Sequence, residues 1–424
     1  MTLTPEGYRP RLIDERIARM LNVFGAVSIE GPKWCGKTWT AENHAESEMR
    51  LTDSTGPYLN RDIVAKDIRE ALSGDPPHLI DEWQEVPQIW DAVRGEVDRS
   101  PAKGRFILTG SSVPRRRETV HSGAGRICRI GMRTMSLFET GDSDGSVSLQ
   151  SLFDGGPTMA PAREWDLGGI VDLVIRGGWP GSVGMDRRDY GLVPRSYFDA
   201  AVEDASYMDG KDRNVRKMRM LLRSLARNES TLASNETVKR DMAENDGETI
   251  AIETYYDYTD CLERIHLIDD IPSFRPNVRS DVRVGKVPKR HLIDVSLVAA
   301  ALGLGHDMLM RDLRTLGLLF ESLCEHDLVV YAETLGWRLF HYRDSRGREI
   351  DAVVETDDGR WGAFEIKLGP AQIDSAAENL LALKSFFERE GEPPAVLCVI
   401  CGMSGYSYRR PDGVYVVPIT ALRP

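Results

Sequence analysis

The stretch that most constrains the fold runs from Gly25 to Thr38 and reads GAVSIEGPKWCGKT. Its first half is typical of a short apolar strand, and its second half fits the pattern Gly-x-x-x-x-Gly-Lys-Thr. A strand that runs into such a loop, and then into a helix, is the context in which backbone N–H groups bind phosphate. The alternative is an ordinary glycine-rich turn between a strand and a helix.

Within this loop each residue type has a definite task. Lys37 is expected to reach the β- and γ-phosphates of a nucleotide, and the hydroxyl of Thr38 is expected to bind Mg²⁺. Gly31 and Gly36 permit the tight turn. Trp34 and Cys35 occupy positions where the backbone, not the side chain, binds the phosphates, so these two residues do not break the motif. We predict a nucleotide site formed by Gly31, Pro32, Lys33, Trp34, Cys35, Gly36, Lys37, Thr38 and Trp39.

Two further apolar runs end in polar side chains that suit nucleotide hydrolysis. HLIDEW places Asp81 to hold the Mg²⁺ shell and Glu82 to orient the attacking water, although the alternative is a solvated helix N-terminus. FILTGSS ends with Thr109 and Ser111, whose hydroxyls could contact the γ-phosphate or the water. Arg126 is a candidate charge stabiliser, in cis or across a subunit interface, or else a structural arginine.

A second candidate site lies where WGAFEIKLG follows REIDAVVE. Glu365 and Lys367 are two apart on a predicted strand and share a face, which is costly unless the charges are paired or used. The turn signal TDDGR would bring Asp351 beside Glu365. These acids, with Glu321 from a preceding helix, could bind Mg²⁺ or Mn²⁺ while Lys367 orients a water. Gln372 could join them. The alternative is an inert salt bridge.

The order of patterns along the chain predicts an α/β protein with several regions. Strands alternate with helices in residues 1–140, which predicts a mostly parallel sheet around the nucleotide site. The stretch from Glu139 to Pro157 is rich in Gly, Ser and Asp, and residues 141–189 are predicted to be a linker or lid. Residues 190–274 are predicted to be helical and compatible with a winged-helix unit, and residues 275–424 to be a basic hairpin followed by an α/β domain.

Charge limits the nucleic-acid surfaces. The net charge of −12 and the pI of about 5.3 argue against a generally basic surface. The third predicted helix of the middle region is acidic and is therefore expected to contact protein rather than phosphate. The segment from Arg275 to Arg290 is a better nucleic-acid candidate, with a solvated charged hairpin as its alternative.

Localisation follows from what the 424 residues contain. The N-terminal stretch is polar, so no secretory signal is expected. The longest apolar run, from Val295 to Gly305, is too short to span a bilayer. Cys398 and Cys401 lie in a predicted buried strand on opposite faces, which makes redox or metal chemistry there unexpected. A cytoplasmic protein with no membrane contact is expected.

Taken in order, these motifs resemble the prokaryotic AAA-like ATP-binding proteins that end in a domain of unknown function with a restriction-endonuclease-like fold. The resemblance rests on RLIDERI, FGAVSIEGPKWCGKT, HLIDEWQEVPQIWDAVR, RFILTGSS, GAGR, IRGGWPGS, LLRSLARN, KRHLIDVSLVAAALG, EIDAVVE and AFEIKLG. It implies a P-loop NTPase sheet and a C-terminal PD-(D/E)xK nuclease-like domain, whose motif would be Asp351, Glu365 and Lys367. The family usually has smaller or polar residues at positions 34 and 35.

Two functions are compatible with these residues. The first is a Mg²⁺-dependent ATPase whose nucleotide state controls a metal-dependent nuclease-like domain that acts on DNA or RNA. The second is a nucleotide-dependent switch or scaffold, with an inactive nuclease-like domain, that binds a protein partner. ATP is the expected ligand in both, and an oligomer is compatible with either.

Overall fold

The computed structural model describes residues 2–52, 59–114, 121–156, 159–275 and 287–424. The chain forms two compact units. The first comprises Met1–Thr134 and Leu262–Leu267, and the second comprises Met135–Cys261 and Ile268–Pro424. No helix among the described residues is long and apolar enough to cross a membrane.

A parallel five-stranded sheet organises the first unit. Its strands are β1 Ala26–Glu30, β2 Ser47–Arg50, β3 His78–Asp81, β4 Phe106–Gly110 and β5 Ile127–Gly131. Its helices are α1 Asp14–Leu21, α2 Lys37–Glu42, α3 Leu59–Lys66 and α4 Gln88–Arg99. The strand order is β2-β3-β4-β1-β5. The predicted parallel sheet is therefore present, and the loop strand β1 lies inside it.

The sheet of the first unit is covered on both faces. Strands β1, β3 and β4 are buried along nearly their whole length, as expected for parallel strands between two helical layers. Helix α4 covers one face, where its Trp90 packs on Trp83 with ring centroids 4.9 Å apart. Helices α1 and α2 cover the other face through Ile17 and Ala41. The sheet is thus a fixed frame for the loops that leave it.

All strand ends that matter for the site lie at one edge of this sheet. Because the strands are parallel, their carboxyl ends point the same way. Glu30 pairs in register with Gly110, and Arg50 pairs with Asp81. The loops that follow β1, β3 and β4 therefore leave the sheet at the same edge.

Helices dominate the first part of the second unit. They are α5 Leu137–Thr140, α6 Leu149–Phe153, α7 Leu167–Arg176, α8 Leu192–Tyr207, α9 Val215–Arg227, α10 Asn235–Asp246, α11 Ile252–Arg264, of which the last residues belong to the first unit, α12 Val295–Leu302 and α13 His306–Arg311. The three helices predicted in series are found as α9, α10 and α11. The apolar helix α12 is almost completely buried and packs on α7, α8 and α9. The winged-helix description stays a prediction.

The predicted linker is more ordered than its composition indicates. Between Glu139 and Pro157 the chain forms β6 Val147–Ser148 and helix α6, and β7 Met159–Pro161 follows. The side chains of Leu149, Leu152 and Phe153 are buried. Their i, i+3, i+4 spacing is the signal of a packed helix face, which the surrounding Gly and Ser residues obscured.

A seven-stranded mixed sheet forms the C-terminal part. The sheet consists of β7 and six later strands. These strands are β8 Arg338–Arg343, β9 Glu349–Glu355, β10 Trp361–Lys367, β11 Val396–Cys401, β12 Tyr406–Arg409 and β13 Tyr415–Pro418. The helices of this part are α14 Leu313–Thr334 and α15 Ile373–Glu390. Strands β8, β9 and β10 are antiparallel, whereas β11 is parallel to β10. A short strand, β14 Leu422–Arg423, pairs with β6. The predicted order of three strands, a helix and a strand is confirmed, and both Cys398 and Cys401 lie buried in β11.

Candidate functional site

The loop after β1 adopts a conformation that only certain residues permit. Gly36 has φ of +102° and Trp34 has φ of +64°, both in the left-handed region. A Cβ atom at Gly31 would lie 2.1 Å from the carbonyl oxygen of Met132, so this position requires glycine. The Cys35 side chain is buried, whereas that of Trp34 is exposed. One unusual residue therefore points inward and the other outward, and both fit the loop.

Lys37 is held inside the loop. Its side chain is buried, and its ammonium group donates a hydrogen bond to the carbonyl oxygen of Pro32 at 2.7 Å. Lys33, Trp34 and Trp39 are exposed. Because Lys37 donates a hydrogen bond to a carbonyl oxygen of the loop, its ammonium group lies close to any phosphate that the N–H groups of the loop bind.

Asp81 joins three elements at the carboxyl edge of the sheet. It is 6% exposed, and its Oδ1 accepts hydrogen bonds from the Thr38 hydroxyl at 2.9 Å and from the Thr109 hydroxyl at 2.5 Å. Burial raises the pKa of Asp81, and the hydrogen bond from Thr109 opposes that shift. Asp81 is therefore not a solvated residue at a helix N-terminus, because its carboxylate is buried and accepts two hydrogen bonds.

Glu82 lies next to Asp81 in a left-handed conformation, with φ of +57°. Its Oε2 accepts hydrogen bonds from the Ser111 hydroxyl at 2.7 Å and from the Gln84 amide. Its backbone N–H donates to Thr109 Oγ1 at 3.2 Å. The structure therefore brings Thr38, Asp81, Glu82, Thr109 and Ser111 together. Gln84 is an additional member that the pattern of strand ends did not indicate.

A buried arginine supports the loop from behind. Arg11 Nη1 donates to the carbonyl oxygen of Cys35 at 2.7 Å, and its Nη2 donates to that of Arg133 at 3.0 Å. The backbone N–H of Arg11 donates to Asp14, the first residue of α1. Sequence reasoning did not assign Arg11 a role. Its position as the first residue of the RLIDERI stretch gave no sign of a contact 24 residues away.

Arg126 lies at the wrong edge of the sheet for a role in cis. It immediately precedes β5, and its carbonyl oxygen accepts the N–H of Ala26, where β1 begins. The phosphate-loop edge is at the other ends of these strands. Its guanidinium donates to Asp98 at 2.8 Å. The expected action in cis is therefore not compatible with the fold, whereas action across a subunit interface stays a prediction.

The residues at the carboxyl edge fit a nucleotide with Mg²⁺. Mg²⁺ prefers oxygen donors, and the Thr38 hydroxyl and the Asp81 carboxylate are already neighbours. Lys37 and the loop N–H groups are complementary to phosphate charge. These residues could therefore hold a Mg²⁺–nucleotide complex, and the Glu82 carboxylate, which Ser111 contacts through Oε2, could accept a hydrogen bond from a water.

The second predicted site also assembles. Strands β9 and β10 pair with Phe364 opposite Ala352, which places Asp351 and Glu365 side by side. The Lys367 ammonium group contacts Asp351 Oδ2 at 3.0 Å and Glu365 Oε2 at 2.7 Å. Burial raises the pKa of Glu365 to about 7, and the charge of Asp351 adds to the shift.

Asn379 is a member of this site that the sequence did not indicate. It lies on α15, and its amide donates to Glu365 Oε1 at 2.6 Å. Gln372, which was expected to join the acids, is exposed in the turn before α15. Helix α15 therefore contributes Asn379, from its second turn, to this site, and not Gln372, which precedes its first residue.

Glu321 reaches this site through a lysine. The Lys289 ammonium group, on a residue that is 2% exposed, contacts Glu321, Glu325 Oε1 at 2.7 Å and the carbonyl oxygen of Asp351 at 3.3 Å. Burial raises the pKa of Glu321 to about 8, against the effect of Lys289. Burial alone would lower the pKa of Lys289, but the neighbouring carboxylates raise it.

The charged contacts continue beyond Lys289. His291 Nδ1 lies 2.9 Å from Glu229 Oε1, and its Nε2 lies 3.2 Å from Glu325 Oε2. Burial would lower the pKa of His291, but Glu325 and Glu229 raise it to about 10. The Ser322 hydroxyl also donates to Glu229 at 2.7 Å. We call Glu229, Lys289, His291, Glu321 and Glu325 the buried ionic cluster.

The basic segment from Arg275 to Arg290 is predicted to be a nucleic-acid surface or a solvated charged hairpin, and Lys289 and Arg290 fit neither description, whereas Arg275 is exposed. Residues 276–286, with Arg279, Asp281, Arg283 and Lys286, lie outside the described residues. Lys289 is buried in the ionic cluster, and Arg290 donates to Asp270 at 2.6 Å. Neither side chain is a solvated charge, because each neutralises acids of the fold, and neither is available for phosphate.

Metal ligation stays a prediction at both sites. In the part of the chain covered by the structure, no group of three or more His, Cys, Asp or Glu side chains has the arrangement of a metal site. At the second site Lys289 contacts the carboxylate of Glu321, and Lys367 contacts those of Asp351 and Glu365.

Three family models match separate parts of the chain. An AAA domain model matches residues 24–141, which contain the phosphate loop, Asp81, Thr109 and all five strands of the parallel sheet. Two models described as domains of unknown function match residues 168–307 (DUF8612) and residues 316–422 (DUF4143). The AAA match supports a P-loop ATPase, as predicted. The descriptions of the other two models name no nuclease.

Individual relatives are distant. The uncharacterized protein Rv2008c of Mycobacterium tuberculosis is 24% identical over 358 residues, which cover 83% of this chain and 72% of the relative. Mb2031c of Mycobacterium bovis, also an uncharacterized protein, has the same identity and coverage.

Solved structures give low similarity scores. The Walker-type ATPase paby2304 of Pyrococcus abyssi has a TM-score of 0.45 at 12% identity, over 71% of this chain and 97% of that chain. The Hsp104–ADP complex of S. cerevisiae has a TM-score of 0.25 at 14% identity, over 62% and 41%.

Proposed function

We propose that this protein binds ATP and hydrolyses it with Mg²⁺ in its first unit. The observation that carries the proposal is the junction at Asp81, whose carboxylate accepts hydrogen bonds from Thr38 of the loop helix and Thr109 of β4. A buried carboxylate between two hydroxyls, beside a phosphate loop, has the donor set that a Mg²⁺–nucleotide needs.

Each residue of the site has a separate part in this reaction. Lys37 exchanges the carbonyl of Pro32 for phosphate oxygens, and the loop N–H groups hold the phosphates. Thr38 and Asp81 would hold Mg²⁺, which would supply charge neutralisation at the phosphates. Glu82 accepts a hydrogen bond from the attacking water and orients it, while Ser111 fixes the rotamer of Glu82 through its 2.7 Å hydrogen bond.

The test is ATP turnover by the full chain with Mg²⁺. Glu82→Gln should lower turnover roughly 100-fold or more and retain ATP binding, because it removes only the group that orients water. Lys37→Ala should weaken ATP binding. Glu85→Gln is the matched control, since Glu85 is a neighbouring but partly exposed acid paired with Arg61. Wild-type turnover unchanged by Glu82→Gln would refute the assignment.

We further propose that the nucleotide state controls a nuclease-like domain in residues 275–424 that acts on DNA or RNA. Helix α14, three antiparallel strands, helix α15 and the parallel strand β11 follow one another, and Asp351, Glu365 and Lys367 lie together on β9 and β10. Paired carboxylates with an adjacent lysine suit metal-assisted phosphodiester hydrolysis. Mg²⁺ or Mn²⁺ would be held by Asp351 and Glu365, with Glu321 as a further ligand.

The test of this domain is cleavage of single-stranded, duplex and branched DNA and of RNA, in Mg²⁺ or Mn²⁺, with and without ATP. Glu365→Ala should abolish metal-dependent cleavage and leave ATP binding intact. Glu349→Ala, which removes an exposed acid from β9, should cleave like the wild type. Cleavage that persists in Glu365→Ala would exclude this site, and a rate that ATP does not change would exclude the coupling.

A second function is favoured by the lysines. Lys367 contacts both Asp351 and Glu365, and Lys289 contacts both Glu321 and Glu325, so each acid has a cationic partner without a metal. In this alternative the domain is an inactive part of a nucleotide-dependent switch or scaffold that binds a protein partner. It predicts ATP binding without cleavage of any substrate and without metal binding at Asp351 and Glu365.

A further inference from the structure

Gln84 contacts the acid that is proposed to orient water, and neither the nucleotide motif nor the proposed reaction gives it a role. Its amide nitrogen donates hydrogen bonds to Glu82 Oε2 and to Ser111 Oγ, the second of them at 3.3 Å. Gln84 therefore belongs to the same hydrogen-bonded group as Glu82 and Ser111.

The turn after β3 brings Gln84 back alongside Glu82. Residues Trp83–Glu85 form one turn of 3₁₀ helix, whose last N–H donates to the Glu82 carbonyl oxygen at 3.0 Å. Trp83 anchors this turn, because it is only 1% exposed and packs on Trp90 in the core of the first unit. The backbone from which Gln84 reaches Glu82 is therefore held by the core.

The orientation of the Gln84 amide follows from its partners. A carboxylate only accepts hydrogen bonds, so the NH₂ end of the amide is the end that meets Glu82. Gln84 Oε1 lies beside Gly110, where an added Cβ would be 3.2 Å from it, and this buried oxygen has no hydrogen-bond partner within the described part of the chain. A methionine of similar length would pack here without a buried polar atom, so packing alone does not account for the amide.

The hydrogen bonds that the Glu82 carboxylate accepts from described residues all end on one of its two oxygens. Oε2 accepts from the Gln84 amide, from the Ser111 hydroxyl at 2.7 Å and from the Ser111 N–H at 3.4 Å. The backbone of Glu82 is held as well, since its N–H donates to Thr109. Oε1 is therefore the oxygen that remains for the attacking water, and the donors on Oε2 decide where it lies.

We infer that Gln84 is a positioning residue for ATP hydrolysis, which holds Oε2 of Glu82 so that Oε1 meets the attacking water. This inference rests on the proposed ATPase activity. The last side-chain torsion of a glutamate has a broad energy minimum, so one donor alone leaves the carboxylate plane poorly defined. Donors from two segments, Gln84 after β3 and Ser111 after β4, fix that plane.

The experiment measures Mg²⁺–ATP turnover by the full chain with two substitutions of Gln84. Gln84→Met keeps the length of the side chain and Gln84→Glu keeps its shape, but neither side chain has an N–H donor. Each should lower kcat roughly 10-fold, because the carboxylate then samples orientations that do not orient the water. Gln88→Met, which removes an exposed glutamine at the start of α4, is the control and should turn over ATP like the wild type.

A double-mutant cycle separates positioning from a structural effect. In the Glu82→Gln background, Gln84→Met should cause no further loss of the single-turnover rate, because the carboxylate that Gln84 positions is already absent. The ATP affinity, measured by calorimetry in the same background, should not change. The Tm of Gln84→Met should stay close to that of the wild type, since the lost hydrogen bond is offset by removal of the buried Oε1.

Two results would overturn the positioning role and leave the proposed ATPase activity intact. One is wild-type turnover in both Gln84→Met and Gln84→Glu. The other is a loss in Gln84→Met that is as large in the Glu82→Gln background as in the wild type, which would mean that Gln84 does not act through Glu82. A full chain that does not hydrolyse Mg²⁺–ATP, or whose turnover Glu82→Gln leaves unchanged, would overturn the proposed function together with this inference.

Discussion

At the scale of single residues, Gly31 is the position where the phosphate loop tolerates least change. A side chain there would meet a backbone carbonyl, and a backbone atom moves aside less easily than the end of a flexible side chain. The loop and the segment after β5 are therefore packed directly against each other.

Gly31→Ala is expected to destabilise the protein by about 1–3 kcal/mol and to weaken ATP binding, because its Cβ would lie 2.1 Å from the oxygen of Met132. The free energy of unfolding and the ATP affinity measure the two effects. Gly131→Ala is the control, since a Cβ there meets nothing within 4 Å. Equal behaviour of the two variants would show that the loop is free to shift away from β5.

At the scale of elements, helix α14 contributes both Glu321 and Glu325, one turn apart, to the same ammonium group. Removing one partner of a buried ion pair leaves the other charge without compensation. The helix is thus attached to the segment that carries Lys289 and His291 by charge as well as by apolar packing.

Lys289→Met is expected to destabilise the second unit by about 3–5 kcal/mol, because two buried carboxylates lose their shared counter-charge. Chemical denaturation measures this loss. Lys384→Met removes an exposed lysine paired one turn away on α15 and should change stability by less than about 1 kcal/mol. Adding Glu325→Gln to Lys289→Met should recover part of the loss, and a further loss instead would contradict the pairing.

His291 gives the buried ionic cluster a defined pH dependence. Its pKa is raised from 6.5 to about 10 in the folded protein, so its charge stabilises the fold fully below pH 6.5 and this contribution is lost as the pH rises towards 10. The free energy of unfolding of the wild type should therefore fall relative to that of His291→Gln between pH 6.5 and pH 9. The expected slope is about 1 kcal/mol per pH unit. A difference that is constant across this range would mean that His291 is neutral in the folded protein.

What the sequence could predict also divides by element. The phosphate loop is contiguous, and Asp81 and Thr109 lie at the carboxyl ends of apolar strands, so parallel pairing alone brings them together. Asp351 and Glu365 are joined by one hairpin. Lys289, by contrast, meets Glu321 and Glu325 at separations of 32 and 36 residues, across elements that no local pattern relates. From the sequence alone, a lysine at the end of a charged run, such as Lys289, is predicted to be exposed to solvent. Its burial becomes evident only when the positions of Glu321 and Glu325 are known.

At the scale of the whole molecule, the position of Arg126 distinguishes ATP hydrolysis by a single chain from hydrolysis by an assembly of chains. Within its own chain it lies at the amino ends of the parallel strands and pairs with Asp98. A contribution of this guanidinium to ATP hydrolysis requires a second copy of the chain.

Arg126→Ala is expected to leave the ATP affinity of the protein unchanged, because the residue lies at the edge of the sheet away from the phosphate loop. Turnover per chain, measured over a dilution series of wild type and variant, separates the two roles. Turnover that rises with wild-type concentration and is flat in the variant would place Arg126 across an interface. A variant that loses ATP affinity at every concentration would contradict its position in the sheet.

The buried ionic cluster has a consequence for how relatives of this protein are compared. Lys289 cannot remain buried without Glu321 and Glu325, so selection for a folded chain is sufficient to retain these acids. A descendant that had lost all chemistry in its second unit would still carry them. Their presence in an aligned sequence therefore records the inheritance of a fold and is no evidence that the proposed nuclease-like activity is retained.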